Sequence, residues 1–245
     1  GSSISLSSDG NTVAISATNN DHNGTDSGVV SVYQYVFPFW NTKGQDIVGE
    51  ATGDYSGWSV SLSSDGTTVA IGAINNDGND TNNSNRGHVR VYQYGNDNEW
   101  NQLGKDIDGE DPGDQSGWSV SLSSDGNTVA IGAINNDGND TNNSNRGHTR
   151  VYSYMEFTSN MIDQYNYSNT IRDTSNTKPI IITGGSEPIV GNSYWTQLGN
   201  DINGESAVDG SGVAVSINND GNTVAIGAYF AYATDNNIRI GHVRV

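Results

Sequence analysis

Apolar and polar residues alternate along this chain in short bursts, and the bursts recur. In Trp58-Ser-Val-Ser-Leu62 the alternation puts Trp58, Val60 and Leu62 on one face, because successive side chains of an extended backbone point to opposite sides. Ser-Asp65-Gly66-Thr follows and reads as a tight hairpin turn. Thr68-Val-Ala-Ile-Gly-Ala73 is an unbroken run of small and apolar residues, the pattern of a strand buried on both faces. A polar loop from Asn75 to Arg86 leads to a third strand, His88-Val-Arg-Val-Tyr-Gln-Tyr94, with Val89, Val91 and Gln93 opposite His88, Arg90, Tyr92 and Tyr94. Trp100 to Ile107 supplies a fourth. No segment carries a helical stripe, since glycine and β-branched residues recur at spacings that break one.

The unit repeats with a period of about sixty residues. Ser56–Tyr94 and Ser116–Tyr154 differ at three positions only: Thr67 against Asn127, Val89 against Thr149 and Gln93 against Ser153. More diverged copies begin at Gly1 and Gly212. The pattern predicts one all-β domain over 1–245, a β-propeller of four-stranded antiparallel blades. The repeats run over approximately 1–56, 57–116, 117–211 and 212–245, with a non-repeat insert at 155–193. A β-solenoid is the rival architecture, but its rungs are shorter than these units.

Ser-Val-Ser-Leu-Ser-Ser-Asp-Gly-x-Thr-Val-Ala-Ile-Gly-Ala, followed by Gly-His-Val-Arg-Val-Tyr, resembles the FG-GAP repeat of integrin α-subunit propellers. It resembles more closely the repeats in secreted surface proteins of algae and bacteria. The resemblance spans nearly the whole chain outside 155–193 and implies the propeller fold and an extracellular or cell-surface setting. That family often carries a calcium loop of the Asp-x-Asp-x-Asp-Gly type between the first two strands. Here the loop is reduced to Ser63-Ser64-Asp65-Gly66 and its copy Ser123–Gly126, too few carboxylates for the oxygen cage calcium requires.

Composition narrows the partners. Ten Lys and Arg stand against twenty-eight Asp and Glu, a net charge of −18 that repels phosphate backbones and disfavours nucleic acid. The chain has no cysteine, which removes disulfides, thiolate metal sites and cysteine nucleophiles. No apolar run approaches the roughly 20 residues of a membrane helix. No signal peptide is evident, and Gly1 in place of an initiator Met suggests a mature product or a fragment.

Two features could carry chemistry. An acidic segment follows each fourth strand: Asp46, Glu50 and Asp54; Asp106, Glu110 and Asp114, with Asp108 and Asp111 added; Asp201, Glu205 and Asp209. Carboxylates grouped on a Gly-rich loop are candidate ligands for Ca2+, although the spacing matches no EF-hand-type loop and solvated linkers with turn-capping Asp side chains are the competing reading. Asn23, Asn79, Asn82, Asn139, Asn142 and Asn166 head glycosylation sequons, and all but Asn166 fall in one kind of predicted loop. Their number is what chance gives in so Asn- and Ser-rich a chain; their placement is the better argument. Gly-His recurs at His88, His148 and His242, with Val29 in the first copy, and reads as a packing or hydrogen-bonding element. Trp58 and Trp118 read as core, and the Tyr94–Trp100 aromatics as blade-to-blade packing.

Between Tyr154 and Trp195 the chain carries about thirty-five residues more than between Tyr94 and Trp100, including the strand candidate Pro179–Thr183. The last unit stops after its third strand, leaving an open edge that could template strand addition from another molecule. The expected function is a non-catalytic secreted glycoprotein, a structural or adhesion module that self-associates head to tail and contacts glycans or other surface proteins. A calcium-dependent glycan-binding propeller is the alternative, and a carbohydrate-active enzyme the third. Covalent glycans and Ca2+ are the only non-protein groups expected.

Overall fold

The computed structural model describes residues 1–78, 84–138, 145–156, 171–172, 179–180, 193–229 and 241–245. Among these residues the chain is all-β, and no helix is long and apolar enough to cross a membrane. It forms propeller-type blades of antiparallel strands.

Blade 1 orders β1 (Ile4–Leu6), β2 (Thr12–Ala17), β3 (Val29–Val36) and β4 (Phe39–Thr42), with β5 (Ile47–Val48) also on β3. Blade 2 repeats the order with β6 (Ser56–Leu62), β7 (Thr68–Ala73) and β8 (His88–Tyr94), the last pairing both β9 (Trp100–Gln102) and β10 (Ile107–Asp108). Blade 3 contains β11 (Ser116–Leu122), β12 (Thr128–Ala133) and β13 (His148–Glu156). Ile171–Arg172 (β14) and Pro179–Ile180 (β15) pair as a separate two-stranded ribbon; the rest of the Pro179–Thr183 run lies outside the described residues. Blade 3 is completed by β16 (Ser193–Gln197) and β17 (Ile202–Asn203). Blade 4 shows β18 (Ser211–Ile217), β19 (Val224–Ala228) and β20 (His242–Arg244).

The hydrophobic cores lie between blades. Ala14, Val30, Val32 and Ile47 of blade 1 meet Val60, Leu62, Val69 and Ile71 of blade 2. Ala70, Val89, Val91 and Ile107 of blade 2 meet Leu122, Val129 and Ile131 of blade 3. Strand β7 is buried along its whole length, as its unbroken apolar run predicts. Val69 and Ile71 fill one interface, while Ala70 and Gly72 on the other side are small enough to admit the next blade. A Cβ on Gly72 would stand 2.1 Å from the carbonyl oxygen of Gly117. Ser59 Oγ caps that same oxygen at 2.7 Å.

Serines stitch the first strands together. Leu62 N donates to Ser5 Oγ at 2.9 Å, Leu122 N to Ser61 Oγ at 3.0 Å and Ile217 N to Ser121 Oγ at 3.1 Å. The alternation of β6 thus has two buried uses: its apolar face fills a core, and its serine face supplies acceptors to the next blade's backbone.

Two expectations are corrected. The predicted fourth strand from Trp100 to Ile107 is two strands, β9 and β10, separated by a turn at Leu103–Asp106 and both paired to β8. Trp58 and Trp118 are not core residues. The β6–β7 register jumps between Ser56 and Ser59, so the residues between them bulge out of the alternation. Trp58 is 37% exposed, and its ring packs on Trp118 of the next blade at 4.9 Å between centroids.

Candidate functional site

The recurrent acidic segments do not fold as single-loop cages. Their three repeated carboxylates take three different places. The first Asp of each accepts a side-chain hydrogen bond: Asp46 from Ser31 Oγ (2.6 Å), Asp106 from Gln102 Nε2 (2.6 Å) and Asp201 from Gln197 Nε2 (2.7 Å). The last Asp of each is buried and holds a turn. Asp54 Oδ2 accepts from Ala51 N and from Asn76 Nδ2, both at 3.0 Å; Asp114 repeats this with Asp111 N and Asn136 Nδ2; Asp209 accepts from Ser206 N. Burial raises the pKa of Asp54 and Asp114, and these hydrogen bonds oppose the rise.

The middle Glu reaches across to the next blade. Glu50 Oε1 lies 3.4 Å from Arg90 Nη1, and Glu110 Oε1 lies 3.5 Å from Arg150 Nη1. Glu205 faces Arg244 in the same way at 3.7 Å. Each arginine also donates to a carbonyl at the end of the preceding blade's last strand: Arg90 to Val48 O of β5 at 3.0 Å, Arg150 to Asp108 O of β10 at 2.8 Å, and Arg244 to Asn203 O of β17. Arg90 and Arg150 further lie over the rings of Tyr92 and Tyr152.

Beside each of the first two ion pairs sits a histidine. Gly87 sets its position. Gly87 adopts φ +71° and bridges to Ser116 of the next blade, and a Cβ there would stand 2.2 Å from the Ser116 carbonyl oxygen. The following residue, His88, pairs with Ala73 on one side and Asp108 on the other and is 1% exposed. Its Nδ1 is 3.8 Å from Glu50 Oε2 and 3.8 Å from Asp106 Oδ2. His148 Nδ1 is 3.7 Å from Glu110 Oε2, with Asp201 completing the equivalent trio. Burial, reinforced by Arg90, pulls the His88 pKa down from 6.5 to about 4 against the opposing pull of Asp106. His148 is likewise lowered to about 4, by burial and then Arg150, against Asp201. Glu50 and Glu110 are shifted upward by burial, while their arginines oppose the rise.

The predicted carboxylates therefore divide. Glu50 with Asp106, and Glu110 with Asp201, converge across blade boundaries around an imidazole. Asp54, Asp114 and Asp209 hold turns. Asp108 is a half-buried member of β10 whose pKa burial raises, with Asp106 adding to it. The histidines are missing from the sequence-derived ligand set, because their neighbours are far apart in the chain: the glutamates lie about 40 residues before them, and the aspartates about 20 residues after His88 and about 50 after His148. The available signal was the recurrence of Gly-His in step with the acidic segments, and Val29 in the first copy.

The Ser-Ser-Asp-Gly turns are closed by their own hydrogen bonds. Asp65 accepts from Ser63 Oγ (2.6 Å) and Thr67 N (3.0 Å), and Asp125 makes the same bonds to Ser123 and Asn127. Of the sequons, Asn79, Asn82, Asn139, Asn142 and Asn166 lie outside the described residues. Asn23 is exposed, but its Nδ2 donates to the carbonyls of Gly49 (3.0 Å) and Glu50 (2.7 Å). A shallow groove that includes Asp106 of the first trio is lined by Asp106, Asp108, Tyr152, Tyr194 and Trp195 among others.

The family model described as FG-GAP repeat matches residues 49–92 and 107–152, so the chain carries FG-GAP repeats in its second and third units. No significant relative is found among curated proteins. Among solved structures the chain is similar to one described as a "putative 6-phosphogluconolactonase" from Bacteroides fragilis NCTC 9343. That pair shares 13% identity with a TM-score of 0.43, and the match covers 86% of this chain and 40% of that one. The chain thus spans well under half of that protein's length.

Proposed function

We propose that this chain is a non-catalytic binding or adhesion module of an extracellular or cell-surface glycoprotein. The observation that carries the reading is the pair of FG-GAP repeats at 49–92 and 107–152, a repeat generally found in non-enzymatic surface modules. The polar geometry supports it. The His–Glu–Asp–Arg arrangement recurs in two successive blades in step with the fold, whereas an active site needs different groups converging at one place.

The test is to immobilise native chain and measure retention of glycans and of surface proteins from its source, alongside assays for hydrolysis of polysaccharides and lactones. Saturable retention without turnover is the expected result. Turnover abolished by removing one blade's carboxylates would overturn the reading in favour of a carbohydrate-active enzyme. A second reading, a calcium-dependent glycan-binding propeller, is favoured by the groove that brings Tyr194 and Trp195 beside Asp106 and Asp108, since aromatic faces and carboxylates together suit sugars. Retention of glycans that disappears on adding a calcium chelator distinguishes it.

A further inference from the structure

We infer that Glu50, His88 and Asp106, and again Glu110, His148 and Asp201, are two cross-blade binding sites for a divalent transition metal of the zinc class.

The argument starts from His88 Nδ1. It is buried and has no hydrogen-bond partner among the described residues. The carboxylate oxygens it faces are both 3.8 Å away, too far for a hydrogen bond. His148 Nδ1 is buried and unpartnered in the same way. A buried polar atom left unpaired is costly, so its recurrence in two blades calls for an occupant.

The geometry selects the kind of occupant. The three ligand atoms of each trio lie within 4.8 Å of one another. Two metal–ligand bonds of about 2.0–2.2 Å span at most about 4.0–4.4 Å, so a central ion fits the 3.8 Å separations with small side-chain adjustment. The carboxylates are already oriented for this. Asp106 commits Oδ1 to Gln102 and turns Oδ2 to the imidazole; Glu50 commits Oε1 to Arg90 and turns Oε2 there. Asp201 is held likewise by Gln197, and Glu110 by Arg150. This is the outer-shell support that fixes ligand orientation in metal sites. Without a cation between them, two carboxylate oxygens converge beside one imidazole, with Arg90 paired to Glu50. Asp54 and Asp108 add further negative charge at Glu50.

Ligand chemistry separates the candidate ions. Calcium takes six to eight oxygens, whereas imidazole with carboxylates suits Zn2+ and its neighbours. Three protein ligands leave a fourth tetrahedral position for solvent, and the partial exposure of Glu50 (43%) and Asp106 (30%) provides the entry path. Each ion would tie the segment before a blade to that blade's third strand and to the turn between its last two strands. Blade 1, with Val29 at the histidine position, has no such trio among the described residues.

The test uses the full chain stripped with chelator and titrated calorimetrically with Zn2+ alone, and separately with Ca2+ alone. Two Zn2+ per chain are expected, undisplaced by excess Ca2+. Glu50→Gln should weaken one of the two sites at least tenfold, and Glu50→Gln with Glu110→Gln both. His88→Gln with His148→Gln should abolish the visible absorption of bound Co2+. Circular dichroism checks that each variant is folded, and the glutamate variants alter partly exposed side chains should the histidine variants fail. No Zn2+ uptake by the wild type would assign the gaps to bridging water and overturn the inference. So would uptake unchanged in folded glutamate variants, or equal competition by Ca2+.

Discussion

The indole nitrogen of Trp100 donates a 2.6 Å hydrogen bond to the carbonyl oxygen of Lys43, a residue of the preceding blade. The next copy repeats it: Trp195 Nε1 reaches Leu103 O at 2.7 Å, and Leu103 is the repeat equivalent of Lys43. Each Trp also tilts against a Tyr of its own blade, Tyr94 for Trp100 and Tyr154 for Trp195. The fourth-strand Trp is therefore a clamp between neighbouring units. Where no preceding blade lies against it, as for Trp40, the ring is 48% exposed, against 3% for Trp100.

Trp100→Phe keeps a ring in this site and deletes the donor, leaving the Lys43 carbonyl buried without it. The expected loss is about 1–3 kcal/mol of stability, the cost of an unsatisfied buried polar group. Chemical denaturation with the denaturant dependence unchanged measures it, and a loss indistinguishable from zero would remove the clamp role.

Gly72 and Gly117 meet backbone to backbone between blades 2 and 3. Gly72→Ala would place a methyl 2.1 Å from the Gly117 carbonyl oxygen, backbone that cannot swing aside as a side chain can. Separation of the blades also strains the Ser59–Gly117 hydrogen bond. The expected cost is about 1–3 kcal/mol, typical of overpacking. Gly95→Ala in the same assay is the comparison and should cost less, since its Cβ would meet the side-chain ends of Asp97 and Asn101 rather than backbone.

These two contacts show what the sequence can and cannot announce. Strand β7 is evident from Val69, Ile71 and the small residues between them, because burial on both faces leaves an uninterrupted apolar run. The pairing of Gly72 with Gly117 is not, since it joins residues 45 apart through a shape match. Trp58 misleads for a related reason. Period-two alternation assigns it to the face of Val60, but the bulge between Ser56 and Ser59 breaks the period, and nothing local marks that irregularity. The acidic segments are equally split. Asp54 behaves as a turn-capping residue, as its loop context suggests, whereas the partner of Glu50 is a histidine almost forty residues away. Cross-blade sites become visible only when the repeat is stacked.

The depressed histidines give a signed dependence on pH. His88 and His148 titrate at about 4 when folded, against 6.5 as the ordinary value. Between these values the unfolded chain binds more protons, so their contribution to stability falls as pH drops from about 6.5 to about 4 and levels off below. Glu50, Glu110, Asp54 and Asp114, raised by burial, act in the opposite direction: their contribution is lost as pH rises through their folded values. A difference isolates the histidines. In chelator-treated buffer, the urea midpoint of wild type should fall more steeply from pH 6.5 to 4 than that of His88→Gln/His148→Gln. Parallel curves would show that the imidazoles do not titrate differently on folding.

Glycosylation should discriminate among the sequons by what each asparagine's amide already does. A glycan attaches through Nδ2 and replaces one of its two hydrogens. At Asn23 that nitrogen donates to both Gly49 O and Glu50 O, so modification would sacrifice a contact anchoring the first blade's loop to the following linker. The loss is about 1 kcal/mol for one such hydrogen bond, and the bulk of a sugar against the Gly49–Glu50 backbone adds to it. Asn79, Asn82, Asn139 and Asn142 stand in two copies of one polar loop, and the duplicated sequence gives both copies the same acceptor motifs. Glycopeptide mapping of natively produced protein should therefore find occupancy at these four positions and little at Asn23. A map with Asn23 fully occupied would mean that the loop opens before folding fixes it, and a map with all four bare would remove the glycoprotein reading.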